Sequence, residues 1–313
     1  MRVTLPRGIT IGHHTDRDAW TGCTVVLLPE GAVAAAEVRG GGPGTRESEL
    51  LSPAANAAGV HAILLTGGSA WGLGAADGVM THLAARGIGY ATPGGLVPLV
   101  FAAVVYDLML GNGAVRPTAA DAAAACEAAG TEVARGSVGV GTGCTVGKLR
   151  GMASATKGGF GAATAEVDGA TLTALAAVNA FGDVLAADGS VAAGVWTGDG
   201  YTRTPELLDR GERPGFLTRQ ATTLVVVVTD ARLDKRGAWL VARAGSAGVA
   251  RAVAPSATAG DGDLVVCAAT GEVDADPFVL SALAPEVIAA AIRDGIASAT
   301  DAPECASAAS RRT

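Results

Sequence analysis

The chain has 313 residues, 49% of them apolar, 17% charged and 4% aromatic, with a formal net charge of −7. That composition supports a large core and is far from a disordered one, and the acidic balance argues against a nucleic-acid partner, which calls for a basic patch. No run of ~18 apolar residues is present to span a bilayer, and Met1 to Gly8 lacks the apolar stretch of a signal peptide.

Gly22–Leu28 and Ala32–Val38 read as strands joined by Pro29-Glu30-Gly31, the chemistry of a hairpin. Gly40-Gly41-Gly42-Pro43-Gly44 then interrupts regular structure. Ala62–Thr66 is a short buried strand, Gly67-Gly68-Ser69 a tight turn, and Gly72–Ala85 a helix. Arg116–Gly130 reads as a second helix, followed by a Gly-rich segment from Gly136 to Gly151. Thr164–Val167 and Leu172–Asn179 are strand candidates, and Thr204–Gln220 reads as an exposed loop. Leu224–Thr229 is uncharged, rich in valine and only strand length, so it predicts a strand buried on both faces. Asp234 can cap a long helix running to about Val253. Gly260-Asp261-Gly262-Asp263 forms a turn into the strand Leu264–Ala269. Pro285 suits the first turn of a last helix ending near Ser298, and the Ala/Ser-rich residues 301–313 are expected to fray. No internal repeat or linker divides the chain, so residues 1–313 read as one α/β domain. Cys23, Cys126, Cys144, Cys267 and Cys305 are odd in number and far apart, which fits reduced thiols in the cytoplasm.

Several nucleotide and nucleophile motifs fail on inspection. Gly143-Cys144-Thr145-Val146-Gly147-Lys148-Leu149 is one residue short of a phosphate loop and has Leu where the magnesium-binding hydroxyl belongs. Gly67-Gly68-Ser69-Ala70-Trp71 has the setting of a serine elbow, but Trp71 replaces its last glycine. The four histidines lie at no metal-ligand spacing, and neither metal nor organic cofactor is implied.

What remains is a hydroxyl residue, Thr222, where a polar loop enters a core strand. If the chain were cut between Ala221 and Thr222, the new α-amine, with an ordinary pKa of about 7.7–8.0, would activate the hydroxyl beside it. Lys157 among glycines, Asn179 at the end of an apolar run, and Asp261 with Asp263 before a strand complete a set of polar residues in bland surroundings.

In that context the chain resembles the DmpA-like aminopeptidase and nylon-oligomer hydrolase family of self-processing N-terminal-nucleophile amidohydrolases. The resemblance rests on Arg39 to Glu47, Gly67 to Leu73 with Asp77-Gly78-Val79, Arg116-Pro117-Thr118, and Lys157-Gly158-Gly159. It continues through Val178 to Gly182, Thr222-Thr223 with Thr229-Asp230-Ala231, and Gly260 to Asp263. It implies a single-domain αββα sandwich of the DmpA and ornithine acetyltransferase-like type, cut into residues 1–221 and 222–313. It further implies Thr222 as nucleophile, Lys157 and Asn179 as oxyanion donors, Asp261 and Asp263 as orienting carboxylates, and Trp71 beside the substrate. By the same resemblance the substrate is a small peptide or amide oligomer with a free amine and the assembly is a homotetramer, with no nucleic acid and no membrane. Acyl transfer of the ornithine acetyltransferase type and an unprocessed, inactive relative are the alternatives. One departure stands out: Ala221 occupies a place where the family commonly has Asn.

Overall fold

The computed structural model describes residues 3–215 and 220–312. Of the expected approach loop, residues 216–219 lie outside the described residues. Two five-stranded sheets form the centre. Their principal strands are β1 Thr10–Asp16, β2 Thr21–Leu27, β3 Val33–Val38, β4 Thr45–Arg46, β5 Ala62–Thr66, β6 Val100–Val104, β7 Gly159–Val167, β8 Ala170–Asn179, β9 Thr222–Ala231 and β10 Leu264–Val273. The first sheet has the order β1-β2-β5-β6-β4 and the second β7-β8-β9-β10-β3. Each is antiparallel except for one parallel pair near its middle, β5 with β6 and β9 with β10.

The alternation along β9 explains the layers. Leu224, Val226 and Val228 point into the apolar space between the sheets, meeting Ile63 and Leu65 of β5 and Phe101 of β6. Val225 and Val227 point the other way, against the long helices α4 (Lys235–Ala252) and α5 (Pro277–Ala297). The first sheet is covered by α1 (Ala76–Ala85) and α2 (Ala119–Glu127), with Cys23, Val25, Leu64 and Ala102 beneath them. The result is the expected α/β/β/α sandwich. With ~1.5–3 kcal/mol available from each fully buried Val or Leu, the central strand is a main source of cohesion. Small residues set the spacing: a Cβ on Gly248 would lie 2.4 Å from the Pro285 carbonyl oxygen, so α4 and α5 close on bare backbone.

Several local readings change. β2 and β3 do not form a hairpin, because the chain crosses from the first sheet to the second at Pro29–Ala32. The turn chemistry reverses the chain without specifying which sheet takes the next strand. The loop expected from Thr204 contains a short helix, α3 (Thr204–Asp209). The last helix begins at Pro277, where the Asp276 carboxylate accepts the Phe278 N–H at 2.8 Å, and Pro285 lies inside it. The segment 301–312 is docked rather than frayed. Ala302, Cys305 and Ala308 are buried, the Lys157 N–H donates to the Ala306 carbonyl (2.9 Å), and Arg311 donates to Ala155 O (2.6 Å). Its small side chains fit under Trp20 and Leu110, so their apolar surface is used for packing. All five cysteines are buried, unpaired thiols, and among the described residues no helix is long and apolar enough to cross a membrane.

Candidate active site

Three strand ends meet at one edge of the second sheet. Antiparallel pairing of β8 with β9 sets Asn179, the last residue of β8, opposite Thr222, the first of β9. Parallel pairing of β9 with β10 sets the Asp261–Asp263 turn beside the same point, and Ala221 bridges Asp261 in the register of the ladder that follows. All four side chains are buried, Thr222 being 6% exposed.

The Thr222 hydroxyl donates to the Ala221 carbonyl at 2.5 Å, and the Gly262 N–H donates to the same oxygen at 2.8 Å. Two donors therefore converge on one carbonyl, polarising it beside a potential nucleophile. Glycine at 262 keeps this spacing open: a Cβ there would stand 2.9 Å from Thr222 Oγ1 and 3.0 Å from Gly42 O, and the Thr222 hydroxyl would have to shift.

Asp263 fixes the next residue: its Oδ1 accepts the Thr223 N–H at 2.6 Å and its Oδ2 the Ala257 N–H at 2.8 Å. Burial, then the neighbouring Asp261 charge, pushes the Asp263 carboxyl up to about 6. Asp261 accepts the Thr258 N–H at 2.8 Å and so holds the turn itself. The run Arg39-Gly40-Gly41-Gly42 wraps this turn, with Arg39 and Gly40 N–H groups on Asp263 O and the Gly42 N–H on Asp261 O. A Cβ on Gly40 would fall 1.9 Å from Asp261 O and one on Gly41 2.7 Å from Ala259 O, which accounts for these two glycines.

The two lysines divide differently from the sequence expectation. Lys157 is wholly buried, and its ammonium donates to three carbonyls, Gly141 O (2.9 Å), Cys144 O (2.9 Å) and Gly158 O (2.8 Å). An ammonium has three protons, so this one is fully used in holding the Gly-rich turn. The cation that reaches the junction is Lys148, which sequence reasoning dismissed along with the failed phosphate loop. Its Nζ donates to Asn179 O (2.9 Å), Asn179 Oδ1 (2.8 Å) and, with a longer bond, Gln220 O (3.4 Å), so its third proton is turned to the residue before Ala221. Burial lowers its pKa to about 8. Asn179 Oδ1 also accepts the Thr145 N–H (3.0 Å), while one Nδ2 proton goes to Tyr106 O (3.1 Å). The only sequence signal for Lys148 was a lysine amid glycines, shared with Lys157.

Next to Tyr106, the buried Asp107 accepts the Thr21 hydroxyl (2.6 Å) and the Gly68 N–H (2.7 Å), tying the Gly67-Gly68 turn to this cluster; burial raises its pKa. Trp71 makes none of these contacts. It stands 71% exposed beyond that turn, with the Arg116 guanidinium 5.1 Å above its ring. Among the described residues no group of three or more His, Cys, Asp or Glu is gathered for a metal.

The sequence profile of peptidase family S58 matches residues 4–307. The chain belongs to that family. This S58 chain is 42% identical over 303 residues to an uncharacterised aminopeptidase of Mycobacterium tuberculosis, covering 91% of this chain and 86% of that one. It is 29% identical over 280 residues to a 6-aminohexanoate-oligomer endohydrolase of Agromyces, covering 88% and 76%. Among solved structures it superposes on the L-aminopeptidase D-Ala-esterase/amidase of Ochrobactrum anthropi with a TM-score of 0.73 at 19% identity, over 98% of this chain and 92% of the other. A Burkholderia β-aminopeptidase gives 0.70 at 22% identity, over 96% and 89%. These superpositions show the fold, a variant of the Ntn-hydrolase architecture. Family membership makes the S58 chain a hydrolase of amide bonds.

Proposed function

We infer that this chain is a self-processing amidohydrolase whose nucleophile is Thr222, freed as an N-terminus by cleavage after Ala221. The observation that carries the reading is the Ala221 carbonyl held between the Thr222 hydroxyl and the Gly262 N–H. Attack of Thr222 Oγ1 on the Ala221 carbon, with loss of the hydroxyl proton, gives a tetrahedral oxyanion in a five-membered ring. The Gly262 N–H remains on that oxygen as its charge develops, the kind of donor worth ~3–4 kcal/mol. Breaking the C–N bond returns a proton to nitrogen and leaves an ester, which water opens to an Ala221 carboxylate and a free Thr222 amine.

In turnover the same hydroxyl attacks a substrate amide, and the α-amine takes and returns the proton. The Lys148 ammonium, 2.8 Å from Asn179 Oδ1, lies nearby as a positive charge that favours the neutral amine. Asn179 and Lys148 supply the donor side of the site, Asp263 with Asp261 orients the Thr222-Thr223 backbone, and Lys157 secures the Gly-rich wall. Substrates are short peptides or amide oligomers with a free amine, in keeping with the activities named for the relatives. The enzyme works as a homotetramer in the cytoplasm, with no cofactor.

Purified wild type and Thr222→Ala are compared by denaturing gel and intact mass. The wild type should give two chains ending and beginning at Ala221 and Thr222, and Thr222→Ala a single chain without amidase activity. Amidase activity surviving in Thr222→Ala would refute the nucleophile.

A further inference from the structure

The alanine that precedes the nucleophile is not merely at a cut site; it fills a built pocket. Ala221 is 2% exposed and packs in a small apolar cluster with Leu149, Phe181, Val195 and Leu207. The four walls come from four separate segments: Leu149 follows Lys148, Phe181 lies two residues after Asn179, Val195 is in a short strand, and Leu207 is on α3. A buried carboxylate clamps two of them together. Asp183 accepts the N–H (2.5 Å) and hydroxyl (2.8 Å) of Thr204, the first residue of α3, and the Val195 N–H (3.2 Å). Nothing in the chemistry above uses Asp183. Its burial is costly unless fully hydrogen-bonded, so the clamp points to a wall whose position matters.

Self-cleavage and turnover pass through the same covalent species. When Thr222 Oγ1 has displaced the nitrogen from the Ala221 carbon, the product is an ester of Thr222 with an alanyl acyl group. An acyl-enzyme formed from an alanyl amide is that same ester, with a free amine in place of the Gln220 peptide. The cluster around the Ala221 methyl therefore faces the acyl residue in both reactions, and the Ala221 N–H, 3.3 Å from Gly260 O, marks where the substrate amine lies.

We propose that Leu149, Phe181, Val195 and Leu207 form the acyl-side specificity pocket, sized for a methyl group, so that the processed enzyme selects amides with an alanine-sized acyl residue. This rests on the functional reading above and adds the size limit to it. One surplus methylene in a filled apolar pocket changes selectivity by ~10–200-fold.

The processed wild type, Leu207→Ala and Leu207→Phe are assayed on the p-nitroanilides of glycine, alanine, leucine and phenylalanine, with processing followed by intact mass and folding by thermal melting. The wild type should favour alanyl over leucyl by at least about 30-fold in kcat/KM. Leu207→Ala should bring the two within a few-fold, and Leu207→Phe should depress alanyl while sparing glycyl. Equal turnover of alanyl and leucyl substrates by wild type, or an unchanged ratio in a processed and folded Leu207 variant, overturns the pocket alone. Should the wild type neither cut itself nor hydrolyse any anilide, the Thr222 reading falls and the pocket falls with it.

Discussion

Replacing each lysine in turn by methionine separates a catalytic cation from a structural one. Burial lowers Lys148 from 10.5 to about 8, equivalent to roughly 3 kcal/mol against keeping the charge. Its two short bonds to Asn179 return on the order of 1.5–3 kcal/mol each, so the ammonium adds little net stability. Asn179 Oδ1 keeps the Thr145 N–H after the change, while Asn179 O and Gln220 O each lose the ammonium. Lys148→Met should therefore melt within a few degrees of wild type yet process and turn over about 10²–10³-fold more slowly, the usual loss on deleting one oxyanion-type donor. Lys157→Met instead takes a donor from three carbonyls at once: Cys144 O keeps the Gly158 N–H (2.9 Å) and Gly141 O the Cys144 N–H (3.3 Å), so the loss falls most heavily on Gly158 O. That should cost on the order of 1–3 kcal/mol and lower the melting temperature by several degrees. The assay is a time course of freshly synthesised chain on a denaturing gel, paired with thermal melting. Wild-type processing in Lys148→Met, or unaltered melting with lost processing in Lys157→Met, would refute this division of roles.

Three further outcomes are expected. Gly262→Ala brings a methyl within 2.9 Å of Thr222 Oγ1 and should slow processing at least about tenfold with little change in melting, read by intact mass over time. Asp263, lifted from 3.8 to about 6, binds its proton more tightly folded than unfolded, so its contribution to stability is complete below 3.8 and disappears as pH rises through 6. Processing needs the carboxylate on the Thr223 N–H, so its rate should climb between pH 5 and 7 with a midpoint near 6; Asp263→Asn should abolish that inflection and be less stable, because its one amide oxygen can serve only one of the Thr223 and Ala257 N–H groups. Deleting residues 301–313 removes the Ala306 acceptor of the Lys157 N–H and uncovers Trp20 and Leu110, which should lower the melting temperature by several degrees in differential scanning calorimetry.

How far the sequence could be read depended on whether the deciding contact was local. Leu224 to Thr229 announces its own burial through composition, and a hydroxyl at its start is visible without a structure. Asn179 and the Asp261–Asp263 turn were legible as polar residues ending or starting apolar runs, and strand pairing gathers them. The lysine was not, because Lys148 and Lys157 both sit among glycines and only the path of the Gly-rich segment decides which faces the junction. Asp107 and Asp183 escaped notice for a related reason. A lone Asp in sequence reads as a solvated turn, and its burial follows from distant partners such as Thr21 and Thr204. Likewise Pro29-Glu30-Gly31 carries reversal chemistry but no information on the sheet that receives the next strand.

The place of β9 in its sheet has a consequence for the life history of the enzyme. β9 and β10 are the third and fourth strands, flanked by β7 and β8 on one side and β3 on the other. A cut after Ala221 thus leaves the shorter fragment threaded through the middle of the longer one, held by ladders along both outer edges of the β9–β10 pair. Before the cut, folding is unimolecular; afterwards, recovery from unfolding requires two chains to find each other and interleave. Recovery of the folded protomer should depend more steeply on protein concentration for the processed enzyme than for Thr222→Ala, in which only subunit assembly is multimolecular. On the proposed processing, the cut would act as a ratchet that only a folded molecule can pass and that a denatured one cannot reverse.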